Sequence, residues 1–243
     1  MGKITVITGG TSGIGRGIAE KILAESAKTD RIFVTYGHDE KKALSFQESL
    51  PEEKRSQVTL IKADMSSYEE MMVFVEELKK QTDHIDWLVS NAGISTYAKY
   101  EDYSFEEWTR IVNTNLSVPV FMVKELRSIM VGSVLFTGSY AGQQAYSSSL
   151  VYGVTKAAIH FLTRSLVKEF EPKGITVNAI APGFIETPWH SARTQESYDR
   201  INRKIALHRF GTVEEVADMA YAVLSNGYMN GSVVDIHGGY DYF

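Results

Sequence analysis

Seven short, continuously apolar, β-prone runs recur along the chain, at Lys3–Thr8, Arg31–Tyr36, Val58–Ala63, Asp86–Ser90, Gly132–Thr137, Thr176–Ile180 and Ser232–Ile236. They do not alternate apolar with polar residues, so each suits a strand buried on both faces. Stretches with helical periodicity separate them, such as Ile18–Ala27 and Tyr68–Gln81, the latter with Met71, Met72, Val75 and Leu78 on one stripe. Strands alternating with helices require crossover connections, which predicts an α/β fold: a doubly wound, seven-stranded parallel sheet with helices on both faces. No linker, repeat or low-complexity segment interrupts residues 1–243, so one domain is expected.

Three helix starts carry capping-box spacing, Ser67-x-x-Glu70, Ser104-x-x-Glu107 and Thr212-x-x-Glu215. Two long helices are expected, at Phe105–Met130 and Leu150–Phe170. Apolar residues on more than one side of them (Val118, Val120, Phe121, Ile159, Phe161 and Leu162) suggest a subunit contact in addition to the core.

Charge and composition exclude several functions. Lys and Arg total 25 against 30 Asp and Glu, a formal charge of −5, which gives no basis for binding nucleic acid through its phosphates. There is no cysteine, so thiol nucleophiles, disulfides and thiolate metal sites are excluded. His38, His84, His160, His190, His208 and His237 form no spaced ligand pair, so they read as ordinary polar histidines and no catalytic metal is expected. No run approaches the roughly 18 apolar residues of a membrane span, and the N-terminus reads as a strand, so a cytoplasmic location is the expectation.

In an open α/β sheet, ligands bind beyond the carboxyl ends of the strands. After the first strand comes Thr8-Gly9-Gly10-Thr11-Ser12-Gly13-Ile14-Gly15, followed at once by an amphipathic helix. Such a loop lets backbone approach a pyrophosphate and aims helix N–H groups at it. A triphosphate-binding loop is disfavoured, because Arg16 stands where Lys should be and Gly17 where Ser or Thr should be. Tyr152 and Lys156, four apart, share one helix face, and an ammonium near a phenol lowers the phenol's pKa toward working pH. Ser139 follows a strand, thirteen residues before Tyr152, where a hydroxyl could donate to a developing oxyanion. Asn115 lies in a predicted helix interior, where Asn is unfavourable and needs a polar partner.

Taken together, Thr8-Gly-x3-Gly-x-Gly15, Asn91-Ala92-Gly93, Asn115, Ser139, Tyr152-x3-Lys156 and Pro182-Gly183 resemble the short-chain dehydrogenase/reductase family over almost the whole chain. The resemblance implies a single Rossmann-like domain and an oxidoreductase that moves a hydride between a nicotinamide cofactor and a carbonyl/secondary-alcohol substrate. It implies that Tyr152 exchanges the proton, Ser139 holds the carbonyl, Asn115 positions a relay water, and Lys156 binds the nicotinamide ribose and lowers the Tyr152 pKa. It further implies that Gly9, Thr11, Ser12, Gly13, Ile14 and Gly15 hold the pyrophosphate. Asp64 and Met65 would flank adenine, with Asn91, Ala92 and Gly93 beside the adenosine and Pro182, Gly183, Ile185 and Thr187 over the nicotinamide.

Family alignment puts Tyr36 where an NAD-favouring carboxylate would stand, with Asp39 three residues too late. His38, Ser12 and Arg16 could receive a 2′-phosphate, so NADP(H) is favoured over NAD(H). Within the family the resemblance is to 3-oxoacyl carrier-protein reductases, through Pro182–Thr187 and Arg209–Ala217. The connection Leu126–Gly132 and the segment Ser225–Gly231 are shorter than usual, and His237 replaces a common acid. Residues 182–209 are the expected substrate lid, and Tyr97, Tyr146, Trp189 and His190 the expected substrate walls. A homotetramer or homodimer is implied. Two alternatives remain: a sugar-nucleotide epimerase or dehydratase, which needs a larger C-terminal region, and a non-catalytic cofactor-binding sensor or scaffold.

Overall fold

The computed structural model describes residues 2–145 and 149–240. Chain order is β1 (Ile4–Ile7), α1 (Gly13–Glu25), β2 (Arg31–Tyr36), α2 (Glu40–Ser49), α3 (Glu52–Arg55), β3 (Val58–Lys62), α4 (Tyr68–Gln81) and β4 (Ile85–Ser90). It continues with α5 (Phe105–Val112), α6 (Val118–Leu126), β5 (Met130–Thr137), α7 (Leu150–Phe170), β6 (Thr176–Pro182), α8 (Gln195–Asn202), α9 (Val213–Ser225) and β7 (Val233–Ile236). All seven strands are parallel, in the order β3-β2-β1-β4-β5-β6-β7. The order reverses between β1 and β4, which is where an open sheet of this kind forms its ligand crevice.

The unbroken apolar runs are explained by two cores. Adjacent residues of one strand point to opposite faces. Phe33, Leu88 and Val134 pack on one side with Met71, Phe74 and Leu78 of α4, Met122 and Leu126 of α6 and Ile159 of α7. Their sequence neighbours Val34, Val89 and Leu135 pack on the other with Ile18 and Ile22 of α1 and Val216, Ala220 and Val223 of α9. A smaller aromatic cluster, including Phe184, Phe210 and Tyr240, sits with Ile201 and Ile205 beyond the ends of β6 and β7.

Two local expectations change. The helix expected over Phe105–Met130 is broken by a π turn at Asn113–Ser117 and ends at Leu126, so Met130 opens β5. Pro119, in the first turn of α6, has no N–H to give the carbonyl four residues back, and the wider turn absorbs that loss. Of the three capping boxes, only Thr212–Glu215 makes both halves. Ser67 and Ser104 cap their helices, but the Glu70 carboxylate turns to the Asp64 N–H, at 2.8 Å.

Candidate active site

A cleft of about 890 Å³ runs across the carboxyl ends of the strands, lined by the loops after β1, β2, β3, β4, β5 and β6. At one end lies the start of α1. Ser12, its N-cap, makes no side-chain capping bond, whereas α2, α4, α5, α7, α8 and α9 are all capped by Asp, Ser or Thr oxygens. The first-turn N–H groups of α1 therefore lack a capping acceptor and face the cleft together with Ser12, Gly13 and Ile14, as an anion site requires. Gly9 makes the loop possible with φ of 62°. Gly15 does not line the cleft; its Cα packs so closely on Asn91 and the Gly9 carbonyl that any Cβ would overlap them.

Asn91 braces this end. Its amide donates to the Thr8 and Gly9 carbonyls, both at 3.1 Å, and its Oδ1 accepts from Thr137 at 3.2 Å. Thr8 Oγ1 in turn accepts the N–H groups of Asn91 and Ala92, both at 3.0 Å. The loops after β1, β4 and β5 are thus held in one network.

At the β2 end, Thr35, Gly37 and His38 line the cleft with Asp64, Met65 and Ser66. Tyr36 does not: along a strand its neighbours face the opposite way, so they take the place expected for it. Asp39, the nearest acid after β2, is occupied in capping α2 through the Lys42 N–H, at 2.9 Å. Arg16 is likewise committed, to Glu20 at 2.8 Å and Ser49 at 3.2 Å, and is not a lining residue. Thr11 is buried in the loop instead of lining the cleft. His38 Nε2 stands 3.4 Å from Asp64 Oδ2. Partial burial acts to raise the Asp64 carboxyl, but hydrogen bonds from Ser66 and the charges of His38 and Arg110 outweigh it, and the group is held low and ionised.

At the other end, α7 begins at the cleft edge. Ser149 caps it by accepting the Tyr152 N–H at 3.4 Å, and pairs its hydroxyl with Ser95 at 3.0 Å, which puts Tyr152 in the first turn, facing the cleft. Ser139 Oγ accepts the Ala141 N–H at 3.2 Å and reaches the Pro182 carbonyl at 3.5 Å. Lys156 is 4% exposed; its Nζ donates to the Thr137 carbonyl at 2.7 Å and lies 5.4 Å from the Tyr152 ring centre. Burial pushes Lys156 down to about 8. It also pushes the Tyr152 phenol up, a shift that its hydrogen bond with Ser139 opposes.

That direction differs from the one expected. The cost of burying a phenolate exceeds what its neighbours return, and Lys156 aims its ammonium at a carbonyl in place of the phenol oxygen. Tyr152 therefore remains a protonated acid at neutral pH.

Asn115 finds the polar partners that a buried Asn requires. Its Oδ1 accepts the Ile94 N–H at 2.9 Å, and its amide donates to the Ile94 carbonyl at 2.9 Å and to Thr155 Oγ1 at 3.1 Å. Both amide protons are used, and the side chain lies outside the cleft lining, so it clamps the loop after β4. Tyr97, Trp189 and His190 line the cleft as expected; Tyr146 lies outside the described residues. Tyr97 OH donates to the Trp189 carbonyl at 3.2 Å, and the Trp189 ring centre is 5.8 Å from that of Tyr152. Pro182, Gly183, Ile185 and Thr187 line the wall between the two ends.

Lining residues that sequence reasoning missed include Arg110, Thr114 and Arg193. Arg110 and Thr114 are four apart, a spacing that could have flagged a shared face.

A crevice at a strand-order reversal, an uncapped helix start at one end and a Ser–Tyr–Lys group at the other define a nucleotide-dependent oxidoreductase. The family profile described as enoyl-(acyl carrier protein) reductase matches residues 9–241. The 3-oxoacyl-[acyl-carrier-protein] reductase of Aquifex aeolicus is 32% identical over 245 residues, covering 98% of this chain and 97% of that protein. The acetoacetyl-CoA reductase of Rhizobium meliloti is 31% identical over 250 residues, covering 100% of both. A Pseudomonas aeruginosa RhlG/NADP active-site complex superimposes with a TM-score of 0.88 at 29% identity, covering 98% of this chain and 96% of that one. The chain belongs to the short-chain dehydrogenase/reductase family and is an NAD(P)-dependent oxidoreductase.

Proposed function

We propose that this protein is an NADPH-dependent reductase of 3-oxoacyl thioesters. The observation that carries the reading is the placement of Ser139, Tyr152 and Lys156 in one cleft with the uncapped start of α1. The residues fit a dinucleotide: the α1 amides and Ser12 would take the pyrophosphate, Asp64 and Met65 the adenine side, and Lys156 the nicotinamide ribose. NADPH held there would supply the hydride for the new C–H bond at the carbonyl carbon. Tyr152 gives its proton to the carbonyl oxygen as the C=O π pair moves onto it, and Ser139 donates a hydrogen bond to the same oxygen. Lys156 holds positive charge near the phenolate that results. Because Tyr152 is pushed up, the acid form needed for reduction is the resting form.

NADPH is favoured over NADH because Asp39, the acid nearest the end of β2, is engaged in capping α2, while His38 and Ser12 line the cleft where they could meet a 2′-phosphate. The thioester class rests on likeness to the Aquifex and Rhizobium reductases. Residues 182–209 serve as a substrate lid whose Trp189 covers Tyr152.

The assay is NADPH consumption with acetoacetyl-CoA, in parallel with NADH. Turnover that prefers NADPH is expected. Tyr152→Phe should cut kcat by at least about a hundredfold and leave NADPH affinity unchanged; near-normal turnover in that variant refutes the mechanism.

Leu150, Val154 and Phe161 form an apolar stripe on the outer side of α7, with Phe105 of α5 also exposed; Phe161 and Phe105 are 72% and 79% accessible. Such a stripe suits a two-fold contact, and a homodimer or homotetramer is proposed through it. Light scattering of wild type and Phe161→Arg tests this; a wild-type monomer refutes it.

A further inference from the structure

We propose that His160 is a positioning residue for Ser139, setting the direction in which the Ser139 hydroxyl meets the substrate oxygen. The inference rests on the reading of Ser139 as the group that holds the carbonyl.

His160 lies on α7, four residues after Lys156 and eight after Tyr152, so all three side chains leave the same face of the helix. It is 4% exposed, lies behind the cleft and is not a lining residue. Its Nε2 accepts the backbone N–H of Ser139, at 3.4 Å. That amide needs a partner. The preceding N–H, of Gly138, makes the last ladder bond from β5 to the Ile180 carbonyl of β6, at 2.8 Å. One residue later the chain leaves the sheet and turns into the short helix Tyr140–Gly142, so the buried Ser139 N–H has no strand to pair with. His160 supplies the acceptor from the helix layer.

The fit is close enough to dictate the neighbouring residue. Any Cβ at position 138 would overlap His160 Nε2 and crowd the Ile180 carbonyl, so only Gly is accommodated between the strand and the ring. An amide always donates, so Nε2 must be unprotonated and the ring proton must sit on Nδ1. Burial, with the charges of Lys156 and Arg164, outweighs the opposing pull of Asp235 and keeps the imidazole neutral, at about 4. The acceptor is therefore present throughout the neutral range.

The effect on chemistry follows from geometry. Ser139 is held at two points, its hydroxyl by the Ala141 N–H and its backbone amide by His160. Releasing the second hold leaves the serine in the cleft but lets its hydroxyl swing. A misplaced hydrogen-bond donor affects the transition state more than substrate binding, because the charge on the oxygen develops there.

The test uses the full chain with NADPH and acetoacetyl-CoA. His160→Phe fills the space without an acceptor, and His160→Gln restores one. His160→Phe should lower kcat by about ten- to hundredfold with KM and NADPH affinity within about twofold, and His160→Gln should recover most of the loss. Unchanged kcat in His160→Phe overturns the proposal, as does a parallel loss of kcat and NADPH affinity or failure of Gln to rescue.

Nitrogen-15 NMR of the wild-type histidines gives a reading independent of turnover. The His160 ring should carry its proton on Nδ1 and stay untitrated between about pH 5 and 8. A proton on Nε2 refutes the contact even if acetoacetyl-CoA is not a substrate. Absence of turnover with the Nδ1 tautomer in place would fault the substrate assignment and leave the positioning contact standing.

Discussion

Replacing Lys156 with Met should make the protein less active, and its stability relative to wild type should become strongly pH-dependent. Lys156 is almost completely buried and touches no carboxylate among the described residues; its hydrogen bond goes to the neutral Thr137 carbonyl. Burial lowers its pKa from 10.5 to about 8. At 1.36 kcal/mol per pH unit, holding that charge inside costs about 3 kcal/mol at neutral pH. The sign follows from proton counts. Between about pH 8 and 10.5 the unfolded chain keeps a proton that the native protein has lost, so wild-type stability rises with pH across that window. Met has no proton to lose and gains nothing.

The Met variant also leaves the Thr137 carbonyl without its donor, at about 1–3 kcal/mol. That penalty is the same at every pH, because a neutral amine still donates. The decisive quantity is therefore the change in the difference between the two proteins. Urea unfolding at pH 7 and at pH 10 should show wild type gaining on Lys156→Met by roughly 2–3 kcal/mol, most of the full shift. In thermal unfolding this is roughly 5–10 °C for a chain of this size. Tyr152, pushed up from its usual 10.0, is present in both proteins, so its own titration largely cancels in the comparison. A gap between the two proteins that is the same at both pH values would refute the claim that a buried ammonium is held at a cost.

Three further outcomes follow. Asn115→Leu should destabilise the protein by about 2–4 kcal/mol, since both main-chain groups of Ile94 lose their partner; a loss under about 0.5 kcal/mol in urea unfolding would count against the clamp. Gly15→Ala should cost about 1–3 kcal/mol and weaken NADPH binding in a fluorescence titration, because its methyl would push Asn91 away from the Gly9 loop; unchanged affinity refutes that. His38→Asp puts a carboxylate where the 2′-phosphate is proposed to sit, and should shift the ratio of kcat/KM for NADPH over NADH toward NADH by at least about tenfold.

The sheet was legible in the sequence because burial on both faces leaves a signal that periodicity alone can read: Phe33 and Val34, or Leu88 and Val89, are adjacent apolar residues that serve different cores. Boundaries were less legible. The run containing Val118, Val120 and Phe121 is apolar enough for one continuous helix, and only Pro119 and the polar pair Asn113 and Asn115 mark where the ladder changes register. Cleft-lining residues were visible where a motif fixes them to a strand end. Side-chain partners distant in sequence were not visible: Asn115 and Ile94 are 21 residues apart, and Arg16 and Ser49 are 33 apart. Nothing local to Arg16 tells that it turns to Ser49 and away from the cleft.

His160 shows the reverse failure, in which the signal was present and read as ordinary. Spacings of four and eight from Lys156 and Tyr152 place it on the face of α7 that carries both, but a histidine without a ligand-spaced partner gives no hint of metal or acid–base chemistry. Its acceptor role is visible only once the chain past β5 is seen to run out of strand. The outer side of the same helix carries Leu150, Val154 and Phe161. One helix thus presents the proposed proton donor Tyr152, the neighbouring Lys156 and the proposed Ser139 anchor inward, and the proposed subunit contact outward. The proposed subunit contact and the proposed catalytic groups therefore share a single element.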